Sequence, residues 1–231
     1  MPLRSGGALD NEYARGRANL GLVSMGRIAL ECEDFTTWTE VDIDNKLSQT
    51  ATRATWTDML SAYEGYLYKA RTVDSDFTLQ LDFRLAAIDV NTDAADPLIA
   101  GIWFICEDSG RMGHVETGVN VVLWIQESGT SLTKFTLYLS HRDDLVQDIS
   151  AELDVGVTYY LTITKVGDVY TCEIYSDSLR TTLVDTISID LSGEAEADVT
   201  FNYIETTGGL FGNFKPDEQS DGFVENWCWA V

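Results

Sequence analysis

The stretch Tyr159-Tyr160-Leu161-Thr162-Ile163-Thr164-Lys165, followed by Val166-Gly167-Asp168 and Val169-Tyr170-Thr171-Cys172-Glu173-Ile174-Tyr175, decides the fold class. Tyr159, Leu161 and Ile163 alternate with Tyr160, Thr162 and Thr164, which in an extended chain puts one set on each face. Gly167-Asp168 offers the positive-φ backbone of a tight hairpin, so residues 169–175 are expected to run back antiparallel. After a polar interval, Thr182-Leu183-Val184-Asp185-Thr186-Ile187-Ser188-Ile189-Asp190-Leu191 supplies a third β segment. Three such segments with short returns begin a sheet.

Working outward, residues 75–85 carry Phe77, Leu79, Leu81, Phe83 and Leu85 in alternation with Thr78, Gln80, Asp82 and Arg84, the pattern of a strand with one face in a core. Residues 98–106 and 118–126 are apolar on both faces, through Ile102, Trp103, Phe104 and Ile105 and through Val121, Val122, Leu123 and Trp124. They are expected to be central strands covered on both sides. Residues 26–33, 48–57, 65–70, 199–204 and 223–229, with alternating Phe135, Leu137 and Leu139, bring the count to about a dozen strands. Residues 58–64 are expected to make one short helical turn, and no longer helical period is present. Only 3 prolines and frequent Gly, Asp and Ser turns fit an all-β, two-layer antiparallel β-sandwich. A chain of 231 residues that is 45% hydrophobic can bury one large core. The expected organisation is an N-terminal extended arm over 1–26 and a sandwich domain over 27–231.

Lys and Arg total 15 against 38 Asp and Glu, a formal net charge of -23. That field repels nucleic acid phosphates and anionic lipid, so no nucleic acid and no membrane partner is expected. Lysine is scarce, a profile that suits either a soluble acidic surface or concentrated salt, where the screening length falls to roughly 3 Å at 1 M. The arm is locally basic through Arg4, Arg15 and Arg17, opposed only by Asp10 and Glu12. It is read as a docking segment for an acidic neighbour. No apolar run reaches the ~18 residues of a membrane span, and Ser5, Gly6, Gly7, Asp10, Asn11 and Glu12 leave no apolar signal-peptide core near Arg4. Cys32, Cys106, Cys172 and Cys228 lie within apolar strand patterns without CxxC spacing. They are expected as buried free thiols, with a Cys32–Cys228 bridge reserved for a fold in which the first and last strands pair.

The order of these segments resembles the concanavalin A-like lectin/glucanase superfamily, the laminin-G-like jelly-roll sandwich. The likeness runs over residues 27–230. It rests on Gly65-Tyr66-Leu67-Tyr68-Lys69, Asp76-Phe77-Thr78-Leu79-Gln80-Leu81-Asp82-Phe83, the Tyr159 hairpin, Ile174-Tyr175-Ser176-Asp177 with Thr182-Leu183-Val184-Asp185-Thr186, and the closing Gly222-Phe223-Val224-Glu225-Asn226. The Ile-Tyr-Ser-Asp and Thr-Leu-Val-Asp-Thr strings look most like copies carried by tailed viruses. The superfamily includes sugar binders, glycoside hydrolases and structural modules, so fold alone settles no function.

Retaining glucanases of this resemblance carry a Glu-x-Asp-x-Glu strand whose two outer carboxyls stand ~5 Å apart. Glu40-Val41-Asp42-Ile43-Asp44 is the near match, but it ends one methylene short and lies early in the chain. It is read as a solvated acidic edge, and no catalytic residues are assigned. Asp89, Asn91 and Asp93 have the alternating oxygen ligands with which a calcium loop begins, yet Ala94 and Ala100 stand where such a loop needs Gly and Glu. An ordinary acidic turn is the competing reading. His141-Arg142-Asp143 and Asp108-Ser109-Gly110 with His114 lack the surrounding motifs that would activate them. Trp38, Tyr66 and Tyr68 are candidates for stacking on pyranose rings, with core packing as the alternative for each. In residues 205–221, Phe211 and Phe214 stand among glycines in a long connection, either folded back on the sandwich edge or anchoring a partner.

These readings converge on a non-catalytic surface protein of a virus particle: a head decoration, fibre or tail-associated module. Its expected partners are other virion subunits, as a homo-oligomer in an assembly, and a host-surface glycan. The alternatives are a calcium-dependent carbohydrate-binding module at an extracellular location, and a glycoside hydrolase.

Overall fold

The computed structural model describes residues 30–42, 44–60, 65–73, 75–89, 98–107, 120–128, 132–141, 146–194, 200–206 and 219–230. These residues form strands β1 (Leu30–Cys32), β2 (Thr39–Asp42), β3 (Leu47–Gln49), β4 (Arg53–Leu60), β5 (Gly65–Val73), β6 (Phe77–Asp89), β7 (Leu98–Cys106) and β8 (Asn120–Glu127). Strands β9 (Lys134–His141), β10 (Val146–Ile149), β11 (Leu153–Asp154), β12 (Thr158–Val166), β13 (Val169–Tyr175), β14 (Leu183–Asp190), β15 (Phe201–Thr206) and β16 (Gln219–Ala230) follow. A single 3-10 turn, Phe35–Thr37, is the helical element among the described residues, and Asp34 caps it by accepting a hydrogen bond from the Thr36 backbone N–H.

The strands make two antiparallel sheets. The first runs β14-β13-β12-β6-β16-β4-β3 with β1 beside the end of β16; the second runs β10-β9-β8-β7-β15-β5-β2 with β11 beside β9. This is the two-layer all-β sandwich, consistent with a jelly roll, that the resemblance implies. The hairpin forms as expected: Val166 pairs with Val169 and Gly167 takes φ 59°. Leu79, Leu81 and Phe83 face Leu123, Ile125, Phe135 and Leu137 across one continuous core. Phe83 and Phe135 meet edge to face at 5.8 Å. Each such side chain stabilises the fold by about 1.5–3 kcal/mol on burial.

Strands β7 and β8 are interior to their sheet and buried on both faces. Phe104, Val122 and Trp124 form a second apolar cluster on the side away from the main core. The expectation of a helical turn at 58–64 is corrected in part: Asp58 to Leu60 continue β4, because Met59 pairs with Ser220 and its side chain belongs in the core. Residues 61–64 lie outside the described residues, as does the arm over 1–26.

Carboxylates close the sandwich where edges and layers meet. Along one side, two side-chain bonds tie edge strand β14 to β10 and to Ala151 just beyond it. Asp148 accepts from the Ser188 backbone N–H at 2.8 Å and Asp185 from that of Ala151 at 2.5 Å. Unpaired edge donors are thereby satisfied. Elsewhere Glu33, whose side chain is 3% exposed, bridges the layers. It accepts from Lys69 and Arg71 of β5 at 2.7 Å each and from the indole N–H of Trp229 on β16 at 2.9 Å.

Cys32 and Cys228 are directly opposed where β1 pairs with β16, and they form a disulfide. The expectation of free thiols is therefore corrected for this pair, because the first and last strands are neighbours. Cys106 and Cys172 are free.

Candidate ligand-binding face

Alternation along β5 sends Leu67 into the core and Tyr66 and Tyr68 to the outer face of the second sheet. Their rings stand 5.9 Å apart, and Tyr203 of the neighbouring β15 extends the run, 6.3 Å from Tyr68. Tyr68 and Tyr203 are half-buried, while Tyr66 is 7% exposed. Glu205 lies in the same cross-strand row, paired with Tyr68 on one side and Phe104 on the other, and it is buried. Its charge and, first, burial push the nearby Cys106 thiol well above its usual range. The face thus presents phenol rings, which offer apolar faces and polar hydroxyls, above a buried carboxylate.

Trp38, the third stacking candidate, is in the core. It packs on Phe35 at 5.0 Å and Trp227 at 5.2 Å and is 4% exposed, so it does not share the face of Tyr66 and Tyr68. The reason is local: the 3-10 turn after β1 rolls Phe35 and Trp38 to the same inward side. Tyr203 and Glu205 escaped the sequence reading because only strand pairing brings β15 beside β5; their i, i+2 spacing on an alternating strand was the available signal.

Glu40 is exposed on the edge strand β2, and the Asp42 carboxylate accepts from the Leu47 backbone N–H at 2.7 Å, closing the turn to β3. His141 is buried at the end of β9. Asp89 ends β6; Asn91 and Asp93, its companions in the calcium reading, lie outside the described residues. So do Arg4, Arg15, Arg17, Phe211 and Phe214 of the docking reading, together with Ser109 and His114. No group of three or more His, Cys, Asp or Glu able to hold a metal ion occurs among the described residues.

No protein-family model and no curated protein matches the chain. Among solved structures, a functionally unknown protein from Saccharomyces cerevisiae is similar over 86% of this chain and 98% of its own, at 14% identity and TM-score 0.48. An alginate lyase in complex with an alginate tetrasaccharide is similar over 87% and 96%, at 12% identity and TM-score 0.47. The CBM2 module of an evolved Dit from a Lactobacillus casei phage is similar over 80% of each chain, at 12% identity and TM-score 0.43. Likeness at this level assigns the chain no ligand, activity or partner.

Proposed function

We propose that this chain is a non-catalytic carbohydrate-binding sandwich carried on the surface of a virus particle, engaging a glycan with the outer face of its second sheet. The observation that carries the reading is the run of Tyr66, Tyr68 and Tyr203, in which the half-buried Tyr68 and Tyr203 reach the surface. Aromatic faces pack on the apolar faces of pyranose rings, and phenol hydroxyls exchange hydrogen bonds with sugar hydroxyls. The turn-closing bond of Asp42 supports a structural role for the acidic pair on β2. The Cys32–Cys228 bridge supports an oxidising exterior such as a virion surface. Arg4, Arg15, Arg17, Phe211 and Phe214 are assigned to docking on other subunits, and calcium at Asp89, Asn91 and Asp93 to loop ordering.

A glycan array probed with the full chain, with and without a calcium chelator, tests the reading. The double variant Tyr68→Ala with Tyr203→Ala is expected to lose about tenfold or more in affinity, from roughly 0.5–1.5 kcal/mol per aromatic contact. Retention of no glycan, or full binding by that variant, overturns glycan recognition at this face. Immunolabelling of intact particles tests the location, and unlabelled particles would remove the virion part.

A further inference from the structure

The outward-facing side chains of the first sheet form a row across five strands. Tyr175 of β13 pairs with Tyr160 of β12, Tyr160 with Asp82 of β6, Asp82 with Glu225 of β16, and Glu225 with Arg53 of β4. With strands about 4.8 Å apart, the row extends roughly 19 Å. Beside it, Thr158, Arg84 and Phe223 pair in the same way.

The centre of this patch is preorganised. Asp82 faces outward yet is only 8% exposed. Its Oδ1 accepts from Arg180 Nη2 at 2.8 Å and its Oδ2 from Asn226 Nδ2 at 2.8 Å. Both donors belong to residues in left-handed backbone, φ 53° and 54°. Asparagine tolerates that region, whereas an arginine held there costs on the order of 1–3 kcal/mol and persists where the surroundings enforce it, often at functional sites. Arg180 is held by the connection 176–182, in which the Asp177 carboxylate accepts from the backbone N–H groups of Leu179, Thr181 and Thr182.

Arg84 stands out against this frame. Arg53 is paired with Glu225 and Arg180 with Asp82. Arg84, two residues from Asp82 on the same face, has no ion pair among the described residues, and its Nε, like that of Arg180, is buried without a hydrogen-bond partner. A partly buried cation lacking an acceptor is costly unless something supplies one. The chain as a whole carries a net charge of -23, but charges beyond about 8 Å are screened at physiological ionic strength, so the groups nearest Arg84 govern close contact.

We propose that the outer face of the first sheet is a second binding site, for a saccharide bearing a carboxylate or sulfate group, with Arg84 taking the acid group. A guanidinium pairs with either anion through two parallel N–H bonds. The Thr158 hydroxyl, paired with Arg84, and the half-buried Tyr160 ring, paired with Asp82 and 5.9 Å from the Arg180 guanidinium, are positioned for the sugar itself. This site is independent of the tyrosine face on the opposite layer.

Calorimetric titration of the full chain in 0.15 M salt tests it with three probes: a galacturonate tetrasaccharide, a sulfated dextran fragment and the matching neutral dextran fragment. One or both acidic probes are expected to bind and the neutral one not, and their difference separates carboxylate from sulfate. Arg84→Ala is expected to weaken the acidic probe about tenfold or more, the loss of a charge-assisted pair, with Arg84→Lys recovering part of it. Unfolding curves of both variants check that the sheet is intact, which an outer-face position permits. Equal binding of neutral and acidic probes, no binding of any, or parental affinity in Arg84→Ala overturns the proposal. So does loss in Tyr68→Ala with Tyr203→Ala but not in Arg84→Ala, which would move the acidic ligand to the other face.

Discussion

Glu33 carries more of the structure than its position after a three-residue strand suggests. Its carboxylate is the common acceptor for Lys69, Arg71 and the Trp229 indole, and Arg71 lies 4.3 Å above the Trp229 ring. Removing it leaves two cations and one indole N–H without an acceptor between the layers. The expected cost of Glu33→Ala is about 3 kcal/mol, the lower end for breaking a buried pair, because Lys69 and Arg71 retain access to water. Urea unfolding measures it, and a change below about 0.5 kcal/mol would show that the clasp is dispensable. The sequence marks Glu33 as one acid among 38; only the meeting of β1, β5 and β16 makes it an anchor. Trp38 and Tyr66 give the converse case. Both are aromatics near turn residues, yet one is rolled into the core and the other sent to the outer face, because a 3-10 turn breaks the strand alternation at the first and not at the second.

Among the connections, residues 176–182 are organised by one side chain. Burial raises the Asp177 carboxyl, but hydrogen bonds from Thr182 and Thr181 outweigh it and hold the group below its usual 3.8. A carboxyl depressed in the folded chain lends stability above its unfolded value, and that contribution is lost as pH falls through the folded value. The loop should therefore keep its order down to pH 3.8 and loosen below it. Faster amide hydrogen exchange at Thr181 and Thr182 under those conditions, ahead of the β13 amides, is the expected result. Simultaneous loss of both would assign the acid transition to the sandwich as a whole. The strand elements themselves were legible: alternation in β6, β9, β12 and β13 matches their inward and outward faces, and the two-sided apolar pattern of β7 and β8 marks them as interior. The end of β4 was not, since polar Thr57 and Asp58 hide the inward Met59.

At the scale of the whole molecule, the Cys32–Cys228 bridge joins residues 196 apart in sequence and fixes the first described strand against the last. Cross-linking so long a loop removes much of the freedom of the unfolded chain, and reduction is expected to lower the unfolding free energy by about 2–5 kcal/mol. Thiol counting in denaturant checks the pairing: two reactive thiols per chain are expected without reductant, from Cys106 and Cys172, and four after it. Four at the outset would exclude the bridge. In the folded chain Cys172 should resist alkylation, because burial and then the Glu173 charge push its thiol far above neutral pH. By itself the sequence determined that this chain is an antiparallel β-sandwich, where its central strands and tightest hairpin lie, and that its surface is strongly acidic. Side-chain alternation and turn chemistry are local properties, readable over a few residues. Which aromatics share a face, which cysteines meet, and that Arg84 has no ion pair among the described residues beside an enforced Asp82–Arg180–Asn226 centre were decided only by the tertiary structure, because register between strands distant in sequence sets those neighbours.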